Sequence, residues 1–151
     1  MCARPAGPQP PSTASVNNTH VRSAGERLRT RLEELRGRPA AEVAASFLGM
    51  WRQLLVEADF RIGCSATAVT VAFASPDLLD TAATVFHAWT DTLASLLVDG
   101  GVPEDAAPTA ATLLIAGSEG AVVLSRAQRA IGPFDTAADG LLAYVRTLAT
   151  V

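Results

Sequence analysis

Residues 113–129 read LLIAGSEGAVVLSRAQR, and how this stretch is covered decides the fold. It is apolar or small-chained for four turns and carries one acid, Glu119. A helix apolar on every side has to be buried on every side. A chain of 151 residues has few other helices with which to cover it, so the stretch reads as built to be shared with a second copy. Ala116, Gly117, Gly120 and Ala121 allow another helix to approach closely. Together with Leu124, and with Leu141 and Val145 of the segment that follows, they are the expected dimer interface, a four-helix contact between two chains. Packing of this helix against the last helix of the same chain uses the same small residues and is the plainer alternative.

Working outward, the periodicity is helical throughout. Residues 18–36 repeat Val21, Ala24, Leu28, Leu32 and Leu35 at threes and fours, with Arg and Glu alternating on another face. Ser23 and Glu26 form an S-x-x-E capping pattern that would start this helix late. Gly37 can end it, and Pro39 can open a second helix to Ala58 with Val43, Phe47, Met50 or Trp51, and Leu54 inward. In DFRIGCS (residues 59–65) Gly63 is the expected turn. A short apolar helix from Cys64 or Ser65 to Phe73 follows. Its Thr67, Val69, Thr70 and Val71 would also suit a strand, but no second strand is available to pair with it. Ser75, Pro76 and Asp77 start a long helix with Leu78, Leu79, Ala82, Phe86, Trp89, Leu93 and Leu96 inward, stopped by Gly100 and Gly101. Pro108 makes the apolar helix start late or kink. Gly132 and Pro133 separate it from a last helix facing inward through Phe134, Ala138, Leu141, Val145 and Leu148. The expectation is an all-α bundle of about six helices over residues 18–151, behind a Pro-rich, disordered tail at residues 1–17.

Composition narrows the function. Residues 1–38 carry a net +4 and residues 39–151 a net −7, out of −3 overall. The acidic body argues against a broad nucleic-acid face there. Two cysteines so far apart as Cys2 and Cys64 suggest a reduced, cytoplasmic protein rather than a disulfide framework. The N-terminal stretch lacks the apolar run of a signal peptide, and the apolar helix is interrupted by Glu119, so no membrane partner is expected. The chain has no phosphate loop, metal-ligand spacing or nucleophile elbow, so no cofactor, no metal and no catalysis are expected.

The order of these segments resembles the C-terminal domain of TetR-family transcriptional regulators, in particular the LmrA/YxaF-like group. The resemblance rests on ERLRTRLEEL (residues 26–35), W-R-x-x-L at Trp51, DFRIGCSATAV (residues 59–69), PDLLDTAATVFHAWTDTLASLL (residues 76–97) and SEGAVVLSRAQ (residues 118–128). It implies an effector-sensing and dimerising domain. A small hydrophobic or aromatic effector would be bound among the helices, and operator DNA would be read by an N-terminal helix-turn-helix in a full-length form. Only about 20 residues precede the first expected helix, too few for that unit, so the chain is expected to lack it. The alternative is a stand-alone helical protein that binds a ligand or pairs with longer relatives.

The candidate ligand contacts are Trp51, Leu54, Cys64, Phe86, Trp89 and Glu119. The aromatic residues suit either a pocket wall or plain core. Cys64 is a reactive thiol at a helix start or a small buried residue. Glu119 is an effector contact or half of an ion pair, with Arg126 two turns on or with a partner chain. His87 falls on the polar side of its helix beside Asp80, Thr84 and Asp91.

Overall fold

The computed structural model describes residues 13–71 and 75–149. Six helices follow one another: α1 (Thr13–Glu33), α2 (Ala40–Glu57), α3 (Ser65–Val71), α4 (Pro76–Asp99), α5 (Ala107–Gln128) and α6 (Gly132–Leu148). No strand occurs among the described residues, which resolves the ambiguous 65–71 segment as helix.

The first helix starts earlier than its capping pattern suggests. Residues 13–17 are helical, and Ser23 lies ten residues inside α1. No Pro or Gly occurs between Ser12 and Ala24; once a turn has nucleated, extending it costs little. The rest of the expected tail, residues 1–12, lies outside the described residues. At its other end α1 tightens into three-residue turns, Leu35 N to Leu32 O at 2.9 Å and Arg38 N to Leu35 O at 3.1 Å, and Gly37 takes the left-handed φ of 79° that ends the run.

Pro39 is the N-cap of α2, one position before the first helical residue where it was expected. What anchors this end is Gly100: the Ala40 N–H donates to the Gly100 carbonyl at 3.0 Å. A Cβ on Gly100 would stand 2.4 Å from the Ala40 nitrogen, so the approach is open to glycine alone. The same turn closes α4. Gly101, at φ 104°, lets the Val102 N–H reach the Leu97 carbonyl at 2.9 Å and its own N–H the Val98 carbonyl at 3.0 Å, while Val102 buries its side chain. This is a Schellman ending with its apolar contact. Ser75 holds the N-cap of α4 through its carbonyl, which accepts from Leu78 and Leu79; its hydroxyl makes no capping bond.

The turn expected at Gly63 is made earlier. Asp59 and Phe60 both take left-handed φ, 50° and 57°, and the Phe60 N–H closes on the Leu55 carbonyl at 2.9 Å. Gly63 lies against Arg126 instead, with a guanidinium nitrogen of that mobile side chain 2.9 Å from where a Cβ would stand.

α4 is the hub, packed on α1, α2, α3 and α5, while α5 and α6 pair side by side and α2 lies across α6. Leu93, Leu96, Leu97, Phe47, Leu55, Leu114, Phe134 and Val145 are fully buried among them. The inward stripe of α4 runs through Thr81, Val85 and Leu97 and leaves Leu79 exposed and Phe86 half-buried. Pro108 sits in the first turn of α5, which starts at Ala107. Ser125, buried on α5, accepts the Phe134 N–H through its hydroxyl at 3.0 Å and so serves one orphan donor of α6.

Gly100→Ala should cost about 1–3 kcal/mol in a denaturant melt. Its φ of −88° suits alanine, so the loss measures the lost contact with α2. An unchanged midpoint would show that the two chain segments can separate freely.

Candidate functional site

The geometry of the site starts with Gly25. It lies mid-helix in α1 with the Val85 methyl groups 2.9 Å from where a Cβ would be. A mid-helix glycine costs roughly 1 kcal/mol against alanine, and here it lets the α1 backbone touch α4. Trp89 uses that proximity: its indole N–H donates to the Gly25 carbonyl at 3.0 Å, with the ring buried. Phe86 meets the Trp89 ring edge-on, centroids 5.6 Å apart and planes at 88°, a favoured aromatic arrangement. α1 also leans on α3 but hardly touches α2.

The space between α1 and α2 is a cavity of about 780 Å³. Trp51 and Leu54 of α2, Cys64 before α3 and Trp89 of α4 line it, with Ala24 and Leu28 of α1 opposite. Four of the six expected ligand contacts therefore meet around one space. Phe86 stands outside it, supporting Trp89. Glu119 does not line it, but is linked to it by Cys64, which borders the cavity and interacts with the carboxyl group. The Trp51 residue is 8% exposed, and its Nε1, itself buried, has no hydrogen-bond partner. The rim carries Glu26, Arg27, Arg31 and Glu34, two charges of each sign.

Glu119 is 8% exposed, the one buried acid or base among the described residues. The Thr67 hydroxyl donates to its Oε2 at 2.7 Å; Oε1 has no partner. The expected pairing with Arg126 is not made. Arg126 turns to the Phe60 carbonyl at 3.4 Å and packs under Gly63. Burial raises the Glu119 pKa, and the Thr67 hydrogen bond and the neighbouring Cys64 thiol only partly oppose it. The Cys64 thiol is pushed up to about 11, mainly by burial and then by the Glu119 charge. A thiol so placed stays protonated at neutral pH and is a poor redox sensor.

A second hollow, about 580 Å³, runs along the other side of the Trp89–Gly25 contact between α1 and α4, lined by Arg22, Arg29, Asp77 and Asp80 among others. His87 is exposed, and no group of three His, Cys, Asp or Glu side chains among the described residues is placed to hold a metal.

The expected interface residues divide. Ala121 and Val145 are buried in this chain's own core. Gly117 is taken by Leu141, whose methyl group is 2.8 Å from the position of a Cβ. Ala116, Gly120 and Leu124 face outward with Leu113 and Val123, and a Cβ on Gly120 would meet nothing within 4 Å. Half of the 18-residue window that makes α5 apolar and long enough to cross a bilayer is buried against its neighbours, as in a core helix.

Sequence reasoning missed the part of α1. Gly25 was the available signal, a glycine inside an otherwise strong helix pattern. Thr67, noted only for its strand preference, is the hydrogen-bond donor to Glu119.

Residues 40–140 match the family described as transcriptional regulator LmrA/YxaF-like, C-terminal domain. The chain belongs to this TetR-type family. It is also 32% identical over 119 residues to an uncharacterized HTH-type transcriptional regulator of Mycobacterium tuberculosis strain H37Rv, and equally to its counterpart in strain CDC 1551. The matched stretch takes in 74% of this chain and 60% of each relative, so the chain spans about 60% of the length of these curated relatives. No solved structure matches it. The matched stretch covers every cavity-lining residue from α2 to α4.

Because the folded-state pKa of Glu119 lies above its ordinary 4.5, the folded chain binds this proton more readily than the unfolded chain. The stabilisation is complete below the ordinary value and is lost as pH rises through the raised one. Wild type should therefore gain thermal stability relative to Glu119→Gln as the pH is lowered from neutral toward 4.5. A melting-temperature difference that stays constant across that range would contradict the burial of the charge.

Proposed function

We propose that this chain is the effector-sensing and dimerisation domain of a TetR-family repressor of the LmrA/YxaF-like group, cytoplasmic and not an enzyme. The observation that carries the reading is the 780 Å³ cavity between α1 and α2, walled by Trp51 and Trp89. That volume falls within the range of small-molecule sites, and mostly apolar walls with a few polar points are their usual make-up. One wall is α1, which is fastened to α4 at Gly25 and hardly touches α2. A ligand between them therefore bears on the placement of α1.

The mechanism is a population shift. An effector moves the equilibrium between two placements of α1 by its difference in affinity for them. In the complete regulator that difference is read out at operator DNA by a helix-turn-helix segment of the kind for which the mycobacterial relatives are named.

Dimerisation uses the uncovered side of α5. Leu113, Ala116, Gly120, Val123 and Leu124 recur at threes and fours, and Val123 and Leu124 are each 54% exposed. Gly140 and Ala143 of the adjacent α6 are exposed as well. Small residues between large apolar ones let two helices of a second copy pack closely, and such interfaces are more apolar than the rest of a surface.

Two measurements test the reading. A bound aromatic compound should raise the melting temperature and quench tryptophan emission, and Trp51→Ala should abolish both effects; a panel that leaves both unchanged in wild type would remove the effector site. Gly120→Leu, which meets nothing inside its own chain, should keep the fold and convert a dimer to a monomer in sedimentation. A variant that still sediments as a dimer would move the interface off α5.

A further inference from the structure

We propose that the effector is a hydrophobic carboxylic acid, bound as its anion, whose carboxylate is held at the mouth of the α1–α2 cavity by Arg27 and Arg31. The proposal rests on the reading of that cavity as an effector site and gives the ligand its chemical class.

α1 presents a single stripe to the cavity. Ala24, Arg27, Leu28 and Arg31 follow one another at threes and fours, and all four line the space, as residues on one face of a helix do. The apolar pair lies deeper: Ala24 and Leu28 are half-buried, whereas Arg27 and Arg31 are exposed. The two guanidiniums therefore stand one turn apart at the edge of an apolar space, with the uncharged Met50, Trp51 and Leu54 lining it from α2. The fold does not use either charge. Neither guanidinium forms an ion pair among the described residues, whereas Arg36, Arg38 and Arg52 are all paired with acids. Like charges four residues apart on a helix repel, and an arginine stays charged at any pH a cell reaches. One carboxylate, which accepts through two oxygens, can take a charge-assisted hydrogen bond from each.

The acids on the rim leave this pair uncompensated. Glu34 is three residues beyond Arg31, and the two do not pair. Glu26 lies off the stripe and also borders the hollow on the other flank of α1, where Arg22 and Arg29 are one turn from it on either side. Behind the mouth, Trp51, Trp89 and the protonated Cys64 thiol form a wall without charge. A ligand with an apolar body fills that part, and its ionised end stays at the wet mouth, where the cost of leaving water is least. An ammonium group at the same place would face two guanidiniums.

The test is titration calorimetry of the intact chain at neutral pH with three probes of one size: naphthylacetate, naphthylethanol and naphthylethylamine. The acid should bind roughly tenfold tighter than the alcohol, since two exposed charged contacts of a few-fold each multiply to about that, and the amine should bind most weakly. Raising the salt from about 0.05 M to about 0.5 M should shrink the preference. Arg27→Gln combined with Arg31→Gln should erase the difference between acid and alcohol while leaving the alcohol's affinity unchanged. Arg22→Gln combined with Arg29→Gln removes the same charge from the other flank of α1 and should retain the preference; thermal melts of both double variants establish that they fold. An acid that binds no tighter than the alcohol, a preference that survives the loss of Arg27 and Arg31, or one that falls equally when Arg22 and Arg29 are replaced overturns the proposal and leaves the cavity intact as a binding site. Absence of binding by all three probes overturns the cavity reading and the carboxylate assignment together.

Discussion

The structure turns on one close contact, the α1 backbone against α4 at Gly25. Helices with ordinary side chains at their crossing stand 8–10 Å apart, roughly, and glycine removes the side chain that would keep them there. The Trp89 indole then ties the two helices with a hydrogen bond to the Gly25 carbonyl. Held at that point, α1 diverges from α2, and the gap is the cavity. The Trp89 ring that makes the bond is also a wall of the space the bond creates. Packing and binding are therefore properties of the same side chain, and Phe86 steadies both by its edge-on contact.

Much of this was legible in the sequence. Six helices followed from the spacing of apolar residues and from Pro and Gly, because these determine where a helix can run whatever surrounds it. The starts of α4 and α6 at Pro76 and Gly132–Pro133 are examples. Local patterns failed where tertiary contacts overrode them. The Ser23–Glu26 capping pattern lies within a helix, because nothing before Ser23 stops the helix. Gly63 was expected to turn the chain on account of its freedom in φ. Asp59 and Phe60 turn it instead, and Gly63 lies beside the Arg126 guanidinium.

The site was legible as a set of residues but not as an arrangement. Trp51, Leu54, Cys64 and Trp89 share one cavity although they come from three segments. Periodicity turned Trp51 and Trp89 inward but also Leu54, which is exposed while its neighbour Leu55 is buried, and it did not tell which side chains would face open space rather than one another. Glu119 stood out as an acid in an apolar run, and its pairing with Arg126 was a fair expectation from their spacing. That pairing fails because the 59–63 loop offers the guanidinium a carbonyl and a groove. Among the expected interface residues, Ala121 and Val145 proved to be core for the same reason. An all-apolar helix does not reveal which of its faces its own chain will cover, and here α2, α4 and α6 pack on α5 and leave Leu113, Ala116, Gly120, Val123 and Leu124 among its exposed residues.

Two consecutive residues in the left-handed region, Asp59 and Phe60, have a consequence for how this protein can change over time. Each such residue costs on the order of 1 kcal/mol when it is not glycine. The pair fixes the heading with which the chain leaves α2 and hence the positions of Cys64 and Thr67, five and eight residues beyond Asp59. Replacing side chains in this loop alters the strain only slightly. Adding or deleting a single residue would rotate the start of α3 and carry Thr67 away from its carboxyl partner. Variation among descendants of this gene should therefore accumulate here as exchanges of residue, while the number of residues between the two helices stays the same.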